Sequence, residues 1–215
     1  MIPLLLQSSS MGSRSSTLDY LVLDEALASG VVEITEISDE GSVPDLRVIN
    51  RGAKPVLILD GEELLGAKQS RVVNLTILVP AHAELTIPVS CVEAGRWRAR
   101  SRSFTSSPRT QYASGRAKRM RHVSYAMMCS GERVSDQGSV WDDIAEKSER
   151  LSASSPTSAM EEIYKVHERS IDSFVEAMAP VDRQVGVVFA VGRRVIGFDL
   201  FDRPATLRRM TSPRF

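Results

Sequence analysis

The 215-residue sequence predicts an α+β fold: an antiparallel β-sandwich or barrel-like sheet with two helices and a C-terminal β-hairpin. Three observations carry that reading. The first half is a series of short β-branched runs separated by turn residues, with no helix-length connection between them. A stretch of apolar residues at spacings of three and four follows. Two further β-branched runs, joined by Gly192-Arg193-Arg194, then close the pattern as a hairpin.

Element by element, a polar, Ser-rich start leads to the apolar Tyr20–Leu23, and Asp24 is placed to cap a short helical turn through Ala28 that Gly30 ends. Val31 to Ile37 reads as a strand, and so does Leu46 to Ile49, which Asn50-Arg51-Gly52 turns towards Pro55–Leu59. Val72–Val79 and Leu85–Val92 complete the sheet. Val140, Ile144 and Leu151, with Trp141 and Ala145 alongside, mark one face of a first helix. A second is predicted from a Ser158/Glu161 capping box. Its apolar face runs through Met160, Ile163, Tyr164, His167, Ile171, Phe174, Val175 and Met178, and Pro180 ends it. Ile163, Ile171 and Phe174 are expected to pack on the sheet. Val185–Val191 and Val195–Phe201 form the hairpin. The whole of 1–215 reads as a single domain with a basic, flexible excursion at about 98–122. From Arg96 to Arg121 the chain carries nine basic residues and no acidic one, which suits a solvated loop.

Composition narrows the partners. Lys plus Arg and Asp plus Glu are 27 each, so no global field selects nucleic acid or a membrane surface. The two cysteines, Cys91 and Cys129, make neither a disulfide framework nor a zinc set, and a reducing cytoplasm is the expected compartment. No apolar stretch approaches the roughly 20 residues of a membrane helix.

Two segments concentrate the chemistry. Asp60 to Arg71 holds Glu62, Glu63, Lys68, Gln69 and Arg71, and Ile87 to Trp97 holds Cys91, Glu93, Arg96 and Trp97. Each is an apolar run leading into small and polar residues, as when a sheet presents donors and acceptors at one end. Gly61-x-x-x-x-Gly66-Ala67-Lys68 is not a phosphate-binding P-loop, because Ala67 intervenes before the lysine and Gln69 replaces the hydroxyl. His82-x-Glu84 lacks the paired cysteines of a zinc deaminase. The residues indicate no metal set and name no cofactor. Glu62 and Glu63 are the candidate acid/base pair, with Lys68, Gln69, Arg71, Glu93, Arg96 and Trp97 as ligand-binding candidates. Trp97 can stack on a base or sugar. Glu62, Gln69, Arg71, Glu93 and Arg96 are expected in one contiguous network. Whether the site turns a substrate over stays open, since only the glutamates qualify for proton transfer.

The same residues resemble a known family. Gly61-Glu62-Glu63-Leu64-Leu65-Gly66-Ala67-Lys68-Gln69-x-Arg71, Ile87-Pro88-Val89-Ser90-Cys91-Val92-Glu93-x-Gly95-Arg96-Trp97, Gln137-Gly138-x-Val140-Trp141 and Asp199-Leu200-Phe201-Asp202-x-Pro204 look like the ARG and rhodanese-phosphatase-superfamily-associated protein domain. The resemblance spans Thr17 to Pro204, with Ser70 where the family usually has Asn. It implies genomic company with ADP-ribosylglycohydrolases and phosphatases, and hence a role in NAD or ADP-ribose metabolism, but transfers no catalytic residue. Two functions stand side by side. One is a site binding or processing an ADP-ribose- or NAD-related phosphorylated metabolite. The other is a non-catalytic module contacting protein or nucleic acid, with Arg98–Arg121 as the nucleic-acid candidate, in which the same motifs are structural; a homo-oligomer is open under either.

Overall fold

A computed structural model describes residues 1–6 and 19–211. The Ser-rich start falls outside the described residues. The fold is α+β. Six strands make the main sheet in the order β10-β6-β7-β9-β4-β3, all antiparallel. They are β3 (Val32–Thr35), β4 (Asp45–Asn50), β6 (Glu62–Gly66), β7 (Arg71–Val73), β9 (Ala83–Cys91) and β10 (Phe104–Thr110). A bridge between Thr35 and Ser103 ties β3 to the start of β10, so the two edges of this sheet curl towards each other. That is the barrel-like closure the sequence predicts, and it hides edges that would otherwise template another chain.

A second sheet holds β2 (Leu21–Val22), β5 (Val56–Ile58) and β8 (Ile77–Val79), with β2 parallel to β5 and β8 antiparallel to it. The core lies between these two sheets. Ile34, Leu46, Val48, Leu64, Ile87 and Phe104 from the first meet Val56, Ile58 and Val79 from the second, and α1 (Leu23–Ala28) adds Leu23 and Ala26. Instead of an Asp24 cap, the Glu25 carboxylate accepts from the Val22 amide at the start of α1.

β9 shows why the second motif is special. Its first four residues alternate in exposure, whereas Ile87 to Cys91 are all buried. There α3 (Gln137–Arg150) and α4 (Glu161–Val166) cover the outer face, forming a second apolar cluster of Val72, Val92, Val140, Ile144, Met160 and Ile163. Pro88, in the middle of this strand, faces Asp45, the first residue of β4, so its missing N–H leaves little of the ladder unmade. The C-terminal hairpin, β11 (Gln184–Val191) and β12 (Arg194–Leu200), pairs with β1 (Ile2–Leu5) in a third sheet, and α6 (Pro204–Thr211) follows.

Two expectations are corrected. The basic stretch at 98–122 is not a loop, since it contains β10 and much of α2 (Ala113–Ser130). Thr105 and Ser106 complete a ladder with Leu65 and Leu64, and Arg116 and Arg119 of α2 reach the Asp60 carboxylate. Pairing partners far along the chain decide this, and local composition carries no trace of them.

The long second helix is two helices. α4 ends at His167, where the backbone leaves helical geometry, and α5 (Glu168–Ala177) follows. Ser158 does not cap α4; Met160 occupies that position with no side-chain cap. Ile163 is buried as expected, but Ile171 is only half-buried and Phe174 is 66% exposed. Only α4 reaches the outer face of the sheet. α5 extends past it, held by polar contacts such as Arg109 to Asp172 at 3.2 Å. Phe174→Ala is therefore expected to change stability by less than about 1 kcal/mol, far below the ~3–5 kcal/mol of a buried phenylalanine. Urea denaturation of the two proteins measures the difference.

Candidate functional site

The two motifs meet where the β6–β7 turn lies beside the end of β9. Arg71 pairs with Cys91 across the ladder, and Ser70 and Gln69 precede it in the turn. The Gln69 amide donates to the Glu93 carbonyl at 3.0 Å, while its oxygen accepts from Arg71 Nη1 at 3.0 Å and from the Cys91 thiol at 3.1 Å. The third motif arrives with α3. Gln137 donates to the Cys91 carbonyl and accepts from its N–H, both at 2.8 Å, replacing a strand where β9 has no further neighbour. Burial pushes the Cys91 thiol pKa up, so it behaves as an inert packing group.

Glu93 and Arg96 form a complete brace. Arg96 donates Nε to one Glu93 oxygen at 2.9 Å and Nη2 to the other at 2.6 Å. Its remaining hydrogens go to the carbonyls of Ala67, Arg98 and Gly66. Glu93 also accepts from the Ser70 amide and hydroxyl and from Thr157. Burial alone would raise the Glu93 pKa. Arg96, Ser70 and Thr157 outweigh it and hold the carboxyl at about 2. Arg96 thus has no donor left for a ligand.

Arg71 is different. It is completely buried, yet Nε and Nη2 have no hydrogen-bond partner among the described residues. Burial lowers its pKa, opposed by Cys91 and Glu36 nearby. Its guanidinium carbon lies 5.7 Å from the centre of the Trp97 ring, and Lys68 Nζ lies 5.4 Å from the same ring. Trp97 is 48% exposed, so it stands between Arg71 and solvent. Lys68, Gln69, Arg71, Glu93, Arg96 and Trp97 are therefore brought together.

Glu62 and Glu63 are not part of this group. Glu62 accepts from the Leu59 amide at 2.8 Å, within its own turn. Glu63 pairs with Val72, so it points to the opposite face of the sheet from Arg71. It is fully buried beneath α4, with both carboxyl oxygens outside hydrogen-bond geometry. Burial pushes its pKa up to about 7, opposed by Ser107 and reinforced by Glu161 and Glu93.

A second polar cluster escaped the sequence reading. Arg116 donates from two nitrogens to Asp60, at 2.8 and 3.2 Å, and from Nη1 to Asp199 at 2.7 Å, tying the first motif to the fourth. Arg119, fully buried, donates to Gln111 and Asn74. Asp60, Asn74, Thr76, Met120, Val123 and Ser124 line a cavity of about 110 Å³ next to them. That volume is well short of the ~300–1,000 Å³ of most small-molecule sites. The one available signal was Arg116 and Arg119 at a spacing of three, on one face of a helix. Six of the nine basic residues between Arg96 and Arg121 pair with carboxylates of this chain: Arg96, Arg100, Arg109, Arg116, Lys118 and Arg119.

Fold and site define an α+β domain in which a curled sheet carries a satisfied carboxylate–arginine brace beside an under-satisfied arginine. The sequence model of the ARG and Rhodanese-Phosphatase-superfamily-associated Protein domain matches residues 1–214, and the chain belongs to that family. No curated protein and no solved structure matches it. Among the described residues no helix is long and apolar enough to cross a membrane.

Proposed function

We propose that this domain binds a small phosphorylated metabolite, ADP-ribose- or NAD-related, with its anionic group on Arg71. One observation carries the reading: two guanidinium donors of a fully buried arginine have no acceptor among the described residues. A buried donor left unsatisfied costs about 1–3 kcal/mol, more when charged, and a two-oxygen anion removes that cost by a bidentate contact. Lys68 adds a second positive charge. Trp97 offers a flat apolar surface for a base or sugar, and its ring has to swing aside to admit the anion. Glu93, Arg96 and Gln69 hold the turn rigid around Arg71.

The test is a thermal shift with ADP-ribose and NAD. At about 100 times Kd, linkage gives roughly 2.7 kcal/mol of added stability. Arg71→Met keeps the volume and removes a buried charge, so the unliganded protein is expected to be at least as stable as the parent. The ligand shift is expected to vanish in that variant and Trp97 fluorescence to stop responding. A shift that survives Arg71→Met puts the ligand elsewhere.

A second reading rests on a separate observation. Every donor of Arg96 and every oxygen of Glu93 is used within the chain, as in a purely structural network. If neither nucleotide shifts the midpoint at millimolar concentration, the domain is better read as a non-catalytic interaction module.

A further inference from the structure

The Arg71 corner holds an unpaired acceptor as well as unpaired donors. Glu36 follows β3, and one of its carboxylate oxygens accepts from the Lys68 amide at 3.3 Å. The other, Oε2, is shut off from solvent and has no hydrogen-bond partner among the described residues. The Gly41 turn lies against it. A methyl group at Gly41 would lie 3.3 Å from this oxygen, 3.1 Å from Lys68 Cδ and 3.4 Å from Trp97 Cζ2. Glu36 Oε2, the Lys68 stem and the edge of Trp97 therefore close around Gly41 more tightly than a methyl group allows, so a ligand reaches this oxygen as the half-exposed Trp97 ring swings aside. Arg71 lies over the same indole ring, and the Glu36 charge acts on it.

An acceptor without a donor and donors without an acceptor, near one aromatic ring, describe a ligand with both kinds of group. We infer that Glu36 completes the site, accepting a hydroxyl hydrogen from the molecule whose phosphate Arg71 binds, so that the ligand class is a hydroxylated phosphate ester such as a sugar phosphate. Charge selects the hydroxyl over an ammonium group. Glu93 and Arg96 neutralise each other, which leaves Arg71 and Lys68 against Glu36. A phosphate ester balances that positive excess, whereas a zwitterion would leave it in place. Gln69 is not available for the role, because its oxygen already accepts from Arg71 and Cys91.

This inference rests on the Arg71 reading, and the experiment separates the two. Ribose 5-phosphate, inorganic phosphate and ribose are titrated by calorimetry into the parent protein, Glu36→Ala, Glu36→Gln and Arg71→Met. The parent is expected to bind ribose 5-phosphate about tenfold or more tightly than phosphate, the margin a hydrogen bond to a charged group supplies. Glu36→Ala is expected to erase that preference and leave phosphate affinity within about twofold. Glu36→Gln, which can still accept from the Lys68 amide, guards against a folding defect and is expected to reduce the preference in part. Arg71→Met is expected to lose both phosphates. Equal affinity for phosphate and ribose 5-phosphate in the parent overturns the role of Glu36 while the Arg71 site stands. So does a Glu36→Ala protein that weakens both alike. If neither anion binds the parent, both readings fall together.

Discussion

Arg96→Ala is expected to destabilise the protein by about 3–5 kcal/mol, because it leaves the buried Glu93 carboxylate without its hydrogen-bonded cation and with only the exposed Arg100, 4.0 Å away. Glu93→Ala should cost a similar amount, since the buried guanidinium would then keep only carbonyl partners. The two losses are not additive. Each mutation removes the same pair, so the double variant should lose well under the sum of the singles, and the cycle measures the coupling. pH gives an independent readout. The folded-state pKa of Glu93 is about 2, below the ordinary 4.5. A depressed carboxyl contributes stability that is complete above its unfolded pKa. That stability is lost as pH falls from about 4.5 towards 2. In Arg96→Ala this acid-side slope should shrink. A single-mutant loss below about 1 kcal/mol would mean that water reaches the pair and the brace is ornamental.

The brace also shows how much the sequence revealed. Gln69, Arg71, Glu93 and Arg96 were legible as one network because two apolar runs, each ending in small and polar residues, imply neighbouring strand ends. The pairing of Arg71 with Cys91 bears that out. Their division of labour was not legible. Arg96 and Arg71 look alike in sequence, and only the positions of backbone carbonyls and of Glu93 make one saturated and the other not. Glu62 and Glu63 were misplaced for a geometric reason. The two glutamates open strand β6, and alternation sends their carboxylates to opposite faces. Missing β6 also meant missing its partner β10, which left 98–122 looking like an excursion. Phe174 failed differently. Apolar spacing identifies a helix face without saying whether anything lies against it. Glu36, which precedes a turn far from both motifs, carried no signal at all.

Glu63→Gln is the substitution expected to stabilise. Glu63 is fully buried between β6 and α4, and its pKa is pushed from 4.5 to about 7. A carboxyl raised in the folded state favours folding while it stays protonated. The parent protein should therefore lose stability as pH rises from about 4.5 through 7, by about 3 kcal/mol in total. The amide matches the neutral acid in shape and never ionises. At pH 8.5 Glu63→Gln should exceed the parent by about 3 kcal/mol, or roughly 6–12 °C in midpoint for a chain of this size. At pH 5 the two should differ by less than about 1 kcal/mol. The charges around the site fix the sign. Glu161 and Glu93 oppose ionisation, Lys165 favours it, and Ser107 stabilises the anion, while burial outweighs them all. Urea titrations of both proteins at the two pH values decide the matter. A parent profile flat between pH 5 and 8.5 would show that water solvates the carboxylate. A Glu63→Gln protein less stable than the parent at pH 8.5 would show that the ionised form has a partner the amide cannot replace.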